Sequence, residues 1–239
     1  MDMSDKKIQT IILCGGMGTR LKEETEFKPK PMVKIGEKPL LWHIMKIYSY
    51  YGFNNFVIAL GYKGEMIKEY FSNNNDDNFN LTMVDTGLES LTGERVRKLK
   101  EYIKDDMFML TYGDGVADIN INKLLEFHKK QNTLATITGV HPRHKYGLVK
   151  IDGNNLVKEF YQKPTLPDVV NGGFMVLSKK VFDYIKKDSM IEDVFFPLIQ
   201  KRQLSMYQHN DFWFAVDTYK EYEDLNKMWQ NDPQWKIWK

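Results

Sequence analysis

Two apolar runs, IQTIILC at residues 8–14 and NFVIAL at 55–60, are rich in branched side chains and show almost no polar alternation. A strand of that kind must be covered on both faces, which points to the interior of a parallel sheet flanked by helices. Between the two runs, PLLWHIMKIYSYYG sets Leu40, Leu41, Ile44, Met45 and Tyr48 on one helical stripe and ends at Gly52. The alternation continues with GEMIKEYF as a helix, NLTMV as a strand, a helix around 94–104 and MFMLTYG as a further strand. Repeated strand–helix–strand units predict a Rossmann-like, doubly wound α/β fold: a mostly parallel sheet with helices on both faces.

The second half changes character. TLATITGV, GLVKI, LVKEFYQ and GGFMVLS read as shorter strands, and DGNN at 152–155 as a hairpin turn, so a small additional β region is expected there. Ser189 with Glu192, and Thr218 with Glu221, have the spacing of capping boxes that open helices. SNNNDDNFN at 72–80 reads as a polar loop. No repeat or linker interrupts the chain, which reads as a single domain over 1–239, with a first half at about 1–118 and a second at about 119–239.

Composition narrows the partners. A net charge of +2 gives no general electrostatic case for nucleic acid or a membrane surface, so any bound anion must be held by local groups. The single cysteine, Cys14, allows no internal disulfide and reads as a buried, inert thiol suited to a reducing compartment. The start, MDMSDKKIQ, is polar and lacks the apolar core of a signal peptide, and no apolar run approaches the roughly 20 residues of a membrane span. A soluble, cytoplasmic protein is expected.

Directly after the first strand comes LCGGMGTRL, 13–21. Ligands of open parallel sheets bind at the carboxyl ends of the strands. Backbone amides without side chains approach phosphate oxygens closely there, and an arginine clamps them with two donors. The segment is no P-loop, which ends in Gly-Lys-Ser/Thr, and no G-x-G-x-x-G, because Leu21 stands at the last glycine position. A structural turn would account for two glycines; Gly15, Gly16, Gly18 and Arg20 together favour a phosphate site. In KPKPM the prolines extend the backbone, so Lys28 and Lys30 project to opposite sides and only one points into that site. TYGDG leaves Asp114 at a strand end, as a turn residue or as a ligand for a hard cation. FWFAVDT ends on Asp217 just before the Thr218 cap, as a second capping carboxylate or, with Asp114 on the same sheet edge, as a joint Mg²⁺ ligand over a polyphosphate. The five histidines have no metal spacing, and no Gly-x-Ser-x-Gly elbow or Cys/His pair offers a covalent nucleophile.

GGMGTRL, KPKPMV, LLWHIMKIYSYYG, GYKGEMIKEYF, TGERVRKL, TYGDGVADI, NGGFMVL and DFWFAVDT, in this order along nearly the whole chain, resemble the sugar-phosphate nucleotidylyltransferases. KPKPMV, LWHIMK, GYKG and TYGDGVAD together resemble the branch that transfers cytidylyl groups to glucose 1-phosphate. The resemblance implies a Mg²⁺-dependent reaction in which CTP and a sugar 1-phosphate, α-D-glucose 1-phosphate first, give a CDP-sugar and pyrophosphate. It assigns Leu13, Gly15, Gly16, Gly18 and Thr19 to the triphosphate cradle, Arg20 to the leaving pyrophosphate and Lys30 to the reacting phosphates. Thr92 and Gly93 fall in the segment against the base, and Asp114 and Asp217 hold Mg²⁺. Gly147, Asn171 and Gly172 match the sugar pocket, and Lys163 a lysine on the sugar phosphate.

Three departures qualify these expectations. The related motif carries glutamate before the lysine where this chain has Gln162, and that glutamate touches sugar hydroxyls, so a heptose or modified hexose 1-phosphate stays open as acceptor. Glu192 matches a sugar-contacting acid but equally a capping-box position. The 72–80 loop is much shorter than in the glucose enzymes, which leaves the choice of nucleotide and the number of subunits open. A homo-oligomer is expected, with the tryptophans at 229, 235 and 238 serving either a subunit contact or a packed C-terminal segment. The contrasting class is a catalytically silent domain that binds a nucleotide sugar.

Overall fold

The fold is that of a computed structural model, described here over residues 7–239. Most of the polar start on which the signal-peptide reading rests therefore lies outside the described residues. Eight strands form the main sheet: β1 Thr10–Cys14, β2 Asn55–Leu60, β3 Asn80–Asp85, β4 Met107–Tyr112, β5 Ala135–Val140, β6 Val170–Asn171, β7 Met175–Ser178 and β8 Leu204–His209. They run in the order β6-β5-β7-β4-β1-β2-β3, with β8 pairing the remaining side of β5. β3, β2, β1 and β4 are parallel, and β7 joins them antiparallel to β4. The principal helices are α1 Leu40–Tyr50, α2 Gly64–Asn73, α3 Thr92–Lys98, α4 Ile121–Gln131, α5 Phe195–Gln200 and α6 Tyr219–Asn231.

β1 is buried along its entire length because its side chains alternate between two separate apolar clusters. Ile12 and Cys14 join Leu40 and Ile44 of α1, Ile67 of α2, Leu124 of α4 and Leu225 of α6. Ile11 and Leu13 join Val96 of α3 and Leu198 of α5 on the opposite face. Helices thus cover both faces, as the unalternated strands require. Among the described residues no helix is long and apolar enough to cross a membrane.

Four expectations are corrected. The helix around 94–104 is divided into α3 and a 3₁₀ turn at Lys100–Tyr102. The stretch 72–80 is a loop only in its middle: α2 runs through Asn73, β3 starts at Asn80, and the Asn75 side chain bridges to both the amide and the carbonyl of Phe79. Ser189 and Glu192 form no capping box. The Met190 amide instead donates to Asp193 Oδ2 at 2.8 Å, Ser189 Oγ donates to Lys186 O, and Glu192 is taken up by Tyr112. Asp114 and Asp217 leave different sheets: Asp114 follows β4, whereas Asp217 follows Trp213–Ala215, which pairs with Gly115–Ala117 in a separate two-stranded ribbon. That ribbon folds back so that the Val216 amide donates to Asp114 O, which brings the two acids together all the same.

The C-terminal tryptophans pack within the chain. Trp235 is fully buried, and Trp229, Trp235 and Trp238 surround His43 of α1, whose Nε2 meets Ile35 O at 2.9 Å. Burial drives the pKa of His43 down to about 4, and burial does the same for His128. In the unfolded chain both imidazoles protonate near pH ~6.5, so stability is full above that value and is lost as pH falls toward the folded value. Lowering the pH from 7 to 5 is expected to cost roughly 2 kcal/mol for each histidine. Thermal melts should show a lower Tm at pH 5, and a flat profile between those values would refute the burial of neutral imidazoles.

Candidate active site

Seven of the eight residues of LCGGMGTR (Leu13–Gly16, Gly18, Thr19 and Arg20) line a cavity of about 340 Å³ at the carboxyl ends of β1 and β4. The glycines are required for different reasons. A Cβ on Gly15 would lie 2.2 Å from the Arg95 guanidinium, whereas one on Gly16 would meet nothing within 4 Å. Gly18 has φ +63°, which disfavours any residue with a Cβ. Gly16 therefore gives the open stretch of backbone, and Gly15 is set by what lies behind it.

Lys30 reaches the same cavity from the turn Lys30–Met32, while Lys28 faces away to pair with Glu24. The Lys30 ammonium donates to Asp114 Oδ2 at 2.9 Å and to Asp217 Oδ1 at 2.8 Å, and Arg20 Nη1 lies 3.0 Å from Asp217 Oδ2. Burial alone would lower the Lys30 pKa, but the two aspartates outweigh it and raise it. For Asp217, burial is likewise overcome by Lys30 and then Arg20, and its carboxyl is held below the usual range. Two carboxylate oxygens converging on one cation are a hard donor set of the kind a divalent metal takes, with phosphate and water oxygens completing the shell. Among the described residues no third His, Cys, Asp or Glu joins them to close an all-protein metal site. Cys14, at the strand end, is buried, and burial pushes its thiol pKa up, away from reactivity.

A model of the family described as nucleotidyl transferase matches residues 9–232. A probable glucose-1-phosphate cytidylyltransferase of Bacillus subtilis is 42% identical over 97% of this chain and all of its own length. The chain belongs to the nucleotidyl transferase family. A glucose-1-phosphate cytidylyltransferase of Salmonella typhi is 40% identical over the same 97% of this chain and its own full length. A putative glucose-1-phosphate thymidylyltransferase of Bacillus anthracis, 17% identical, shares the fold with a TM-score of 0.77 over 94% of this chain and 96% of its own.

In this nucleotidyl transferase the remaining candidates fall into four places. Thr92 lines the cavity from the first turn of α3. Gly93 sits behind it, where a Cβ would lie 2.7 Å from Ser189 O and Met190 O, so its glycine lets α3 dock on that segment. Gly147, Gln162 and Lys163 sit at the root of the hairpin Leu148–Ile151/Val157–Tyr161, outside the lining of the cavity. A Cβ on Gly147 would lie 2.6 Å from the Phe160 ring and 3.3 Å from Gln162 Oε1, which sets these residues side by side. Asn171 ends β6 and Gly172 follows it; Asn171 Oδ1 accepts the Gly173 amide and Gly172 O accepts Trp213 Nε1. Glu192 accepts the Tyr112 hydroxyl on Oε1, and its Oε2 is buried without a hydrogen-bond partner.

Two residues escaped the sequence. Tyr112, at the end of β4, lines the cavity, and burial with Glu192 beside it pushes its phenol pKa up. Arg95 lines the cavity from α3 and is only 4% exposed. Both lie in quoted motifs, TYGDG and TGERVRKL, but neither their hydrogen bonding nor their burial has a spacing signature.

Proposed function

We propose that this chain transfers the cytidylyl group of CTP to a sugar 1-phosphate, α-D-glucose 1-phosphate first, giving CDP-glucose and pyrophosphate. The observation that carries the proposal is the convergence of Lys30, Arg20, Asp114 and Asp217 at the mouth of the glycine loop. A sugar phosphate has its second pKa near ~6, so at neutral pH its oxygen is already an anionic nucleophile and needs no general base. That oxygen bonds to the α-phosphorus as the bond to the β-phosphate oxygen breaks, and pyrophosphate leaves. What the protein contributes is alignment and charge neutralisation. The glycine loop and Thr19 hold the triphosphate, Arg20 the departing pyrophosphate, and Lys30 exchanges its carboxylates for phosphate oxygens. Asp114 and Asp217 would hold Mg²⁺, which supplies further neutralisation of the phosphates.

A second cleft of about 800 Å³ shares Asp217 with the nucleotide cavity and is lined by Arg143, Lys145 and Thr165. The arms that carry these residues are paired, with the His144 amide on Pro164 O and the Leu166 amide on Pro142 O. This is the side from which we propose the sugar phosphate enters, toward Lys163. The two halves at about 1–118 and 119–239 then divide nucleotide from sugar phosphate within one domain, and the proposal includes Mg²⁺, a cytoplasmic location and a homo-oligomer. A different acceptor, a heptose or modified hexose 1-phosphate, is favoured by one observation: a neutral amide, Gln162, stands beside Gly147 where the family pattern has a carboxylate.

The test is pyrophosphate release with CTP, UTP, GTP and ATP, each against glucose, mannose and heptose 1-phosphates. The fastest release is expected for CTP with α-D-glucose 1-phosphate. A clear preference for another sugar would transfer the proposal to that acceptor, and one for another nucleotide would overturn the cytidylyl assignment.

A further inference from the structure

Lys30 and Asp217 meet at 2.8 Å although they lie far apart along the chain, and one helix holds the segments that carry both. At its start, α6 fixes Asp217, because Glu221 Oε2 accepts the amides of Asp217 and Thr218. Further along the same helix, Asn226 reaches the small hairpin Lys34–Ile35/Lys38–Pro39. Its Oδ1 accepts the Gly36 amide at 2.9 Å and its Nδ2 donates to Lys34 O at 3.2 Å, so one side-chain amide pairs with the backbone as a neighbouring strand would. Trp229, one turn on, closes against the same place. Gly36 has φ +60°, and a Cβ there would lie 2.1 Å from Trp229 Nε1. Between these contacts, Ile35 O meets His43 Nε2 of α1. The Lys30–Met32 turn runs into this hairpin through Val33, whose amide donates to Lys30 O and whose carbonyl accepts the Leu40 amide. Met32, Val33 and Ile35 are buried. Close-packed backbone of this kind passes a displacement at Gly36 along to Lys30. Asn226 itself lies outside the lining of both clefts.

We infer that Asn226 is a positioning residue for the transfer: it ties the arm of Lys30 to the helix that fixes Asp217, and so sets the spacing of cation and carboxylate at the reacting centre. The inference rests on the assignment of phosphoryl transfer to that centre. An in-line displacement needs its charged groups in register, and a small misplacement caused far from the chemistry slows the reaction. The glycine loop, Arg20 and the sugar-phosphate side make no contact with Asn226, so its loss leaves the binding of both substrates largely in place. A brace that served stability alone would not single out the rate.

The experiment compares full-length Asn226→Leu, Leu225→Ala, Lys30→Met and the double variant Lys30→Met/Asn226→Leu with the wild type, by thermal melts, steady-state kinetics and Mn²⁺ titration without nucleotide. Asn226→Leu keeps the size of the side chain and loses its hydrogen bonds, and it should lower kcat by about tenfold or more. KM for CTP and for the sugar phosphate should each stay within about twofold, the pattern of an interaction lost in the transition state. Leu225→Ala, at the neighbouring and fully buried position, should lower Tm at least as far, yet leave kcat unchanged well below its transition. With Lys30 held less firmly between its carboxylates, Asn226→Leu should also bind Mn²⁺ more tightly than the wild type, and that difference should vanish in the Lys30→Met background. Asn226→Ala, which favours the helix, serves as the test if Asn226→Leu does not fold. A folded Asn226 variant with the wild-type kcat, an equal loss of kcat in Leu225→Ala, or a Mn²⁺ effect that persists without Lys30 overturns the inference while leaving the transfer reading intact. A wild type that releases no pyrophosphate with any sugar 1-phosphate overturns both.

Discussion

Lys30→Met is expected to lower kcat by more than about a hundredfold while leaving the fold in place, on the scale of losing one group that stabilises transition-state charge. Methionine matches the length of the lysine stem, so the packing beside the buried Pro31 and Met32 is kept. What disappears is the ammonium held 2.9 Å from Asp114 and 2.8 Å from Asp217. In the free protein that leaves two carboxylates facing one another without their shared cation, at a cost of about 1–3 kcal/mol at neutral pH. The same change opens the donor pair to metal. Lys30→Met should therefore bind Mn²⁺ without nucleotide more tightly than the wild type and gain more Tm from added Mg²⁺. Turnover at the wild-type rate would remove Lys30 from the reacting centre.

Asp217→Asn is expected to raise the Mg²⁺ concentration needed for half-maximal rate steeply and to lower kcat, with little loss of helix α6. The reason lies in which groups cap that helix. Thr218 Oγ1 accepts the Glu221 amide, and Glu221 Oε2 accepts the amides of Asp217 and Thr218 at 2.8 Å. The Asp217 carboxylate takes no part in this cap and is spent on Lys30 and Arg20. Asparagine keeps the shape and loses the charge that would hold a divalent cation. Asp114→Asn should shift the Mg²⁺ dependence in the same direction. If Asp217→Asn lowered only the melting temperature, with an unchanged Mg²⁺ curve, the side chain would be structural after all.

The parts of this molecule legible in the sequence are those governed by local periodicity or by motifs. β1 and β2 could be read because burial on two faces leaves no polar position, and α1 because its stripe is continuous. The glycine loop, Arg20 and Lys30 were singled out by motif and do line one cavity, but the extended backbone expected of KPKPM is a 3₁₀ turn at Lys30–Met32, with Lys28 on Glu24 and Lys30 on Asp114. β8 was missed because it reads QLSMYQH with half-exposed polar positions, and its place is set by β5 across some seventy residues. The Ser189–Glu192 spacing misled because Tyr112, distant in sequence, captures the glutamate. Arg95 was missed for the same kind of reason: its hydrogen bonds go to carbonyls from three separate stretches of chain rather than to neighbouring side chains.

The most direct measurement of the central claim is product analysis after incubating the protein with CTP, α-D-glucose 1-phosphate and Mg²⁺. The account predicts CDP-glucose, identified by mass and by its diphosphate ³¹P signals, in equal amount with pyrophosphate, and no product from Lys30→Met over the same interval. Tight binding of CTP with no pyrophosphate released for any sugar 1-phosphate would contradict it and leave a domain that holds nucleotides without turning them over.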